Sequence, residues 1–414
     1  MSKPTPLRQL PVVMISMSRW DGDFSSAAYS LAKSLAKTNT VIYVDYPYTW
    51  LDVWRERKLP TVKKRMPALV RGQNGLTNIP GQSPQLYALT PPAMLPINFL
   101  AEGALYAAAL AHNNRLLFEA IEKAVKSLGF NDFLFFNSFN PLYGQQLPDR
   151  WKHLPFVYQS RDSIRALEPY LRKHGVRLET KAIQEADLAI ATSSELVRIL
   201  SEASGKKVEH LPNAADISVF RRAVEEKFAE PQELQGLRRP LIGYTGNICQ
   251  RVDYDLLQKL CAAHADKTVV LVGPRNHWEH TQIDLDAIPN LVFVGPRKLE
   301  ALPPYLQHFD VVLIPFVKSE LTASIYPLKI NEYLAAGKPV VATNFSVDMA
   351  RFADRVWLAN DHDTFLASID QALAHRSEAE SRQRLASAEG DSWEARVELL
   401  WQLLEKTPKA QAYL

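Results

Sequence analysis

Along most of the chain, short runs of apolar and β-branched residues alternate with segments whose apolar positions recur at helical spacing. PVVMIS (11–16) reads as a buried strand, FSSAAYSLAKSLAK (24–37) as an amphipathic helix and TVIYVDY (40–46) as a second strand, which predicts a βαβ unit. The alternation returns with FLFFN (133–137), PFVYQ (155–159), a helix over 166–185, LAIATS (188–193), the helix SELVRILSEAS and the short strand KVEHLP. This is the order of a parallel-sheet domain. After LPNAAD (211–216) comes a polar, charged stretch at 221–240 that reads as a connecting segment. Six further strands are then predicted, LIGYTG (241–246), TVVLVGP (268–274), LVFVGP (291–296), VVLIPF (311–316), PVVATN (339–344) and VWLAN (356–360), forming a second doubly wound domain. The expected boundaries are 1–211 and 212–392. The amphipathic helix within DSWEARVELLWQLLEK (391–406) presents Trp393, Val397, Leu400, Trp401 and Leu404 on one face, so residues 393–414 are expected to pack back on the first domain. Residues 46–92 mix aromatics with Lys and Arg without a sustained period, and read as a loop-rich insertion, a membrane-surface patch or, as such mixtures more often are, a solvated surface.

Composition narrows the class. At 414 residues the chain is too long for one ordinary core, and 47% hydrophobic with 22% charged residues is the balance of a globular enzyme. The net charge of +3 is spread along the sequence, so no nucleic-acid partner is expected. Cys249 and Cys261 have no metal-ligand spacing and cannot build a disulfide framework, which fits a reducing cytoplasm. MSKPTPLRQLPVVMIS reads as the approach to a strand rather than a signal peptide. The most apolar long segment (93–111) is interrupted by Pro96 and Glu102, and is not expected to cross a bilayer.

The candidate chemistry centres on IYPLKINEYLAAGKPVVAT (325–343). Pro327 suits the first turn of a helix and Gly337 the position just past its end, which predicts a helix over 327–336. Its start follows the strand VVLIPF, so the backbone N–H groups of 325–328 are expected to face a ligand anion such as a phosphate. Lys329 and Glu332 share one helix face; their spacing alone fits either a surface pair worth a few tenths of a kcal/mol or a pair of ligand contacts. In the first half, Gly22 in DGDFSS (21–26) lies on a strand-to-helix loop. Ser138 and Asn140 follow one predicted strand, and Ser160, Arg161 and Asp162 follow another. Asp162 either orients an acceptor hydroxyl or caps the next helix. The ten histidines are scattered and supply no general base.

PLKINEYLAAGKPVVAT resembles the donor-binding motif of GT-B glycosyltransferases of the family 4 (group 1) type. SSELVRIL followed by VEHLPNAADISVF, LIGYTGNI, LVGP, NLVFVGP and LPPYLQHFDVVLIPF match further segments of that family in order, across residues 185–345. The resemblance implies a GT-B fold, two Rossmann-like domains facing a central cleft, with a nucleotide-sugar donor on the second and an acceptor on the first. It implies transfer with retention, in which the departing phosphate takes the acceptor proton, and neither a cofactor nor a metal. Glu332 corresponds to the second of the family's two spaced glutamates and would accept from ribose hydroxyls. The first glutamate falls on Ser324, a departure that leaves Ser324, Ile325 and Tyr326 as candidates for sugar contact. Lys329 and Arg251, beyond Gly246 in GNICQR, are the implied cations for the diphosphate, with Gly246 at the turn between strand and loop. Gly295, Pro296 and Arg297 are nominated for base or phosphate contact. The family's common acceptor-side histidine has no counterpart here.

The expected activity is therefore a retaining, metal-independent glycosyltransferase acting on a glycan, lipid-linked or small-molecule acceptor in cell-surface polysaccharide or glycoconjugate synthesis. Its expected place is the cytoplasm, with peripheral contact to the inner membrane surface. A nucleotide-sugar epimerase of the same fold and a non-enzymatic two-domain binding protein are the competing readings.

Overall fold

Two parallel sheets organise the computed structural model, which describes residues 5–22, 26–166, 169–275 and 283–414. The chain forms two compact units: residues up to Pro212 together with Arg396–Leu414 make the first, and Asn213–Ala395 the second. The connecting segment at 221–240 contributes the helix Arg222–Glu225 and a short turn, so it belongs to the second unit's body rather than being structureless.

The first unit holds eight strands: β1 (Val12–Ser16), β2 (Val41–Val44), β3 (Leu76–Asn78), β4 (Leu86–Leu89), β5 (Leu134–Ser138), β6 (Phe156–Ser160), β7 (Leu188–Ala191) and β8 (Glu209–His210). Their order is β3-β4-β2-β1-β5-β6-β7-β8, parallel throughout except for the edge strand β3, which runs against β4. β1, β2, β5, β6 and β7 are buried along their whole length, as a sheet covered on both faces requires, which is why they read as continuous apolar runs. Residues 46–92 differ from expectation. They fold into the helices Trp50–Glu56 and Pro60–Arg71 and the β3–β4 hairpin. A capping box of Thr49 and Asp52 starts the first helix, and Val53, Val62 and Leu69 anchor the pair in a small core of their own. Most of the remaining helical positions are exposed, so no long period shows in the sequence.

The second unit holds six parallel strands: β9 (Leu241–Thr245), β10 (Thr268–Val272), β11 (Leu291–Phe293), β12 (Val311–Ile314), β13 (Val340–Thr343) and β14 (Trp357–Ala359), ordered β11-β10-β9-β12-β13-β14. The order reverses at β9, the place where a doubly wound sheet opens a crevice at its carboxyl end. The C-terminal helix Trp393–Leu404 buries Trp393, Leu400, Trp401 and Leu404, and its far end joins the first unit through Arg8, which pairs with Glu398 at 2.8 Å and Glu405 at 2.6 Å. No helix among the described residues is long and apolar enough to cross a membrane.

Candidate active site

The loop leaving β9 is fixed before any ligand arrives. Gly246 donates to the Val272 carbonyl (2.8 Å) and Ile248 to that of Pro274 (2.9 Å), so the chain tracks the end of β10. It then crosses to β12, where Asp253 donates to the Pro315 carbonyl and Val317 to the carbonyl of Arg251. The Asp253 carboxylate accepts from Leu256 N–H and starts the next helix. Arg251 thereby sits at the switch point with its guanidinium 5.9 Å from the Phe316 ring.

After β12, Ser319 and Thr322 form a capping box for the short helix Glu320–Ala323. Tyr326 then plunges into the core, against Phe352 and with its hydroxyl accepting from Asn331 Nδ2 (3.2 Å). The expected helix is present as Leu328–Ala335, with Pro327 as its N-cap at ψ 64° and Ala336 as its C-cap, but one expectation fails. The backbone N–H groups are largely spent: Ile325 donates to Thr322 and Leu328 to Tyr326, while Pro327 has none to give. The short preceding helix turns the chain so tightly that it satisfies its own donors, leaving less for an anion than an open helix start would. Gly337, at φ +70°, ends the helix, with its N–H on Leu334 and that of Lys338 on Tyr333.

Lys329 and Glu332 are not a surface pair. Their side chains are 22% and 11% exposed, with Nζ and Oε2 4.0 Å apart. Burial pushes the Glu332 carboxyl above its ordinary value, opposed by the Lys329 charge. Burial likewise lowers the Lys329 ammonium, with Glu332 opposing and the Arg251 charge adding to the fall. At 4.0 Å the two charges attract without a short hydrogen bond, so each keeps capacity for a further partner. The ammonium lies over Gly246, 5.7 Å from the Tyr244 ring: a Cβ added there would stand 2.4 Å from both Nζ and Cε of Lys329. Gly246, at φ +142°, is thus required by backbone and by space together.

The structure therefore brings together Gly246, Arg251, Lys329 and Glu332. Ser324 is fully buried and donates its hydroxyl to the Leu321 carbonyl (2.8 Å), and Ile325 lies beside it in the same turn. Gly295, at φ +85°, and Arg297 follow edge strand β11, two strands from β9. The Arg297 guanidinium is already engaged, giving Nε to Tyr305 Oη (2.8 Å), Nη1 to the Pro296 carbonyl (2.9 Å) and Nη2 to an ion pair with Glu233. Asp162 belongs to the first unit, where it follows β6 and lies close enough to Arg161 to act on its charge. The short helical turn Ile164–Ala166 follows it directly and precedes the helix Pro169–Glu185. Gly22 donates to the Arg19 carbonyl (3.2 Å); the rest of its loop, 23–25, lies outside the described residues.

Tyr333 and Asn247 escaped sequence reasoning. The Tyr333 hydroxyl accepts from Thr245 N–H (2.9 Å), tying the Lys329 helix to the end of β9. Its i+4 spacing from Lys329 was visible but reads equally as core. The Asn247 carbonyl accepts from Tyr244 Oη (3.0 Å), while its Oδ1 is buried without a hydrogen-bond partner.

Residues 239–375 match the family model of glycosyl transferases group 1. The chain is 26% identical over 219 residues to the putative teichuronic acid biosynthesis glycosyltransferase TuaH of Bacillus subtilis strain 168, a match covering 51% of this chain and 55% of that protein. It thus spans about half the length of that relative. Among solved structures it is similar to sucrose-phosphate synthase from Thermosynechococcus elongatus (16% identity, TM-score 0.63, 96% of this chain and 99% of that one). It is also similar to Anabaena HepE in complex with UDP and glucose (15%, TM-score 0.60, 96% and 100%). The family match thus lies within the second unit, and the two parallel-sheet α/β fold is that of the GT-B glycosyltransferase structures.

Proposed function

We propose that the protein is a retaining glycosyltransferase that takes a sugar from a nucleotide-sugar donor held by the second unit. The observation that carries this is the Lys329–Glu332 pair, shielded from water over Gly246 and beside Arg251, within the segment that matches the family model. Such a pair is under-satisfied alone and is completed by a ligand offering both phosphate oxygens and hydroxyls. Lys329 and Arg251 meet the diphosphate, whose charge grows as the glycosidic bond breaks, and Glu332 accepts from ribose hydroxyls. Fixed cations do this work in place of a bound metal, and the departing phosphate takes the acceptor proton, so positioning rather than a side-chain base sets the rate. Ser324 in place of a carboxylate removes a charge from the sugar side of the site, in the turn that also carries Ile325 and Tyr326.

The acceptor is a glycan, lipid-linked or small molecule of cell-surface polysaccharide or glycoconjugate synthesis, a reading supported by the similarity to TuaH. The first unit also presents Trp50, Leu51, Trp54 and Leu59 to solvent beside exposed Arg55, Arg57, Lys58, Lys63 and Lys64. This aromatic and cationic surface suits an anionic bilayer at the cytoplasmic face.

Incubation with UDP-, GDP- and ADP-sugars in the presence of a chelator tests the reading. Slow hydrolysis of one donor, with a thermal shift from its nucleotide, supports a metal-independent transferase. An isomerised donor would make the protein an epimerase, and an unchanged donor with no shift a non-enzymatic binder.

A further inference from the structure

The carboxyl end of the first unit's sheet carries a charge that the donor chemistry leaves unused. Arg161 follows β6 directly, at the edge where ligands of parallel sheets bind. Its carbonyl accepts from Thr192 Oγ1 (3.0 Å), which ties its backbone to the end of β7. The guanidinium carbon lies 5.8 Å from the centroid of the Phe139 ring. Phe139 itself sits at φ +61°, a conformation that a bulky residue keeps only where its surroundings hold it. Tyr43, Tyr158 and Asp162 lie near enough to act on the Arg161 charge. Even so, the guanidinium forms no ion pair and no hydrogen bond among the described residues, and its Nε is sealed from solvent without a partner.

The contrast with other inner arginines is informative. Arg65, 9% exposed, holds Asp21 at 2.8 Å and Asp45 at 3.4 Å, and Arg396 gives its Nε to the Pro212 carbonyl. A guanidinium drawn out of water without a partner is costly, and folds ordinarily pair it. Beside it, Tyr43 Oη joins Ser18 Oγ (2.6 Å), which in turn meets Ser26 Oγ (2.8 Å), a run of hydroxyls able both to give and to accept.

We propose that Arg161 is the residue of the first unit that binds an anionic group, a phosphate or a carboxylate, on a sugar acceptor. A planar guanidinium fork suits both groups, and one drawn partly out of water discriminates against a neutral sugar that leaves it unpaired. The proposal rests on the reading of the first unit as the acceptor side.

Calorimetric titration of the full chain with glucose 6-phosphate, glucuronate and glucose tests it, using wild type, Arg161→Met, Arg161→Lys and Lys329→Ala. One charged probe is expected to bind wild type at least about tenfold more tightly than glucose, or ~1.4 kcal/mol. The preference is lost in Arg161→Met, partly kept in Arg161→Lys and intact in Lys329→Ala, and the two charged probes separate phosphate from carboxylate. Equal binding of charged and neutral sugars by wild type overturns the proposal. So does a preference that survives Arg161→Met, or one that vanishes only in Lys329→Ala, which would assign the anion to the second unit. If Arg161→Met does not fold, the wild-type comparison and Arg161→Lys decide. Titration with UDP, GDP and ADP in the same proteins reads the donor side separately, so a failure there leaves the Arg161 result standing.

Discussion

Replacing Gly246 by alanine asks whether the Lys329 ammonium is where chemistry needs it. The new Cβ would stand 2.4 Å from Nζ and Cε of Lys329 and 3.1 Å from Tyr244 Oη. To reach an ordinary contact of ~3.8 Å the lysine tip must retreat by about 1.4 Å. If it serves a diphosphate oxygen at ~3 Å, the retreat weakens the attraction from about 5.5 to about 3.8 kcal/mol at an effective dielectric of ~20. A barrier rise of roughly 2 kcal/mol follows, a roughly thirtyfold fall in turnover. Removing the ammonium altogether, in Lys329→Ala, is expected to cost about 3 kcal/mol. The two changes are not independent, because Gly246→Ala acts through Lys329 and has nothing to displace once the lysine is gone. The double mutant is therefore expected to turn over at the rate of Lys329→Ala, an interaction energy of about 2 kcal/mol. Alanine at φ +142° also strains the backbone by on the order of 1–3 kcal/mol, equally in both backgrounds, and chemical denaturation measures that part separately. Steady-state donor hydrolysis by wild type, both single mutants and the double mutant is the assay. Additive losses, or wild-type turnover in Lys329→Ala, would refute the placement of the diphosphate at this lysine.

Glu332→Gln is expected to keep the fold and weaken nucleotide binding by about 2 kcal/mol, since the amide loses the charge that strengthens the ribose hydrogen bonds; unchanged affinity in calorimetry counts against the ribose role. Glu179, fully buried and accepting from Ser160 Oγ (2.8 Å) and Tyr158 Oη (3.1 Å), is pushed by burial from 4.5 up to about 7. Between those values the unfolded chain holds fewer protons than the folded one, so Glu179 removes stability as pH rises from about 4.5 to 7. Glu179→Gln should flatten that fall by on the order of 3 kcal/mol in denaturation at pH 5 and pH 8, and parallel pH profiles would show that the carboxyl stays ionised. Trp54, 64% exposed, is expected to matter for membrane contact alone: Trp54→Ser should reduce sedimentation with phosphatidylglycerol vesicles and leave donor hydrolysis unchanged, whereas equal sedimentation would remove the aromatic patch from the contact.

The strands were legible in the sequence because a sheet covered on both faces needs unbroken apolar runs, and β1, β9 and β12 are such runs. Gly337 was legible for a similar reason, since a helix stop with φ +70° nearly demands glycine. The helices at 50–71 were not, because few of their residues point inward, chiefly Val53, Val62, Ala68 and Leu69, too few to set a period. The Lys329 and Glu332 spacing showed a shared face but not its depth. Burial comes from Tyr333 fastening that helix to Thr245, and from Gly246 making room for the ammonium, contacts between residues more than eighty positions apart. The spent N–H groups of Ile325 and Leu328 depended on how tightly the preceding turn closes, a matter of backbone angles that residue types leave open. Arg297 and Arg161 make the same point in opposite directions. Each follows a predicted strand in the sequence, and only the fold gave one a carboxylate and a phenol while it left the Nε of the other without a partner. Local sequence determines which segments are strands and where a helix must stop, through forces that act between near neighbours; which charges end up paired is decided by tertiary packing, because the partners come from distant parts of the chain.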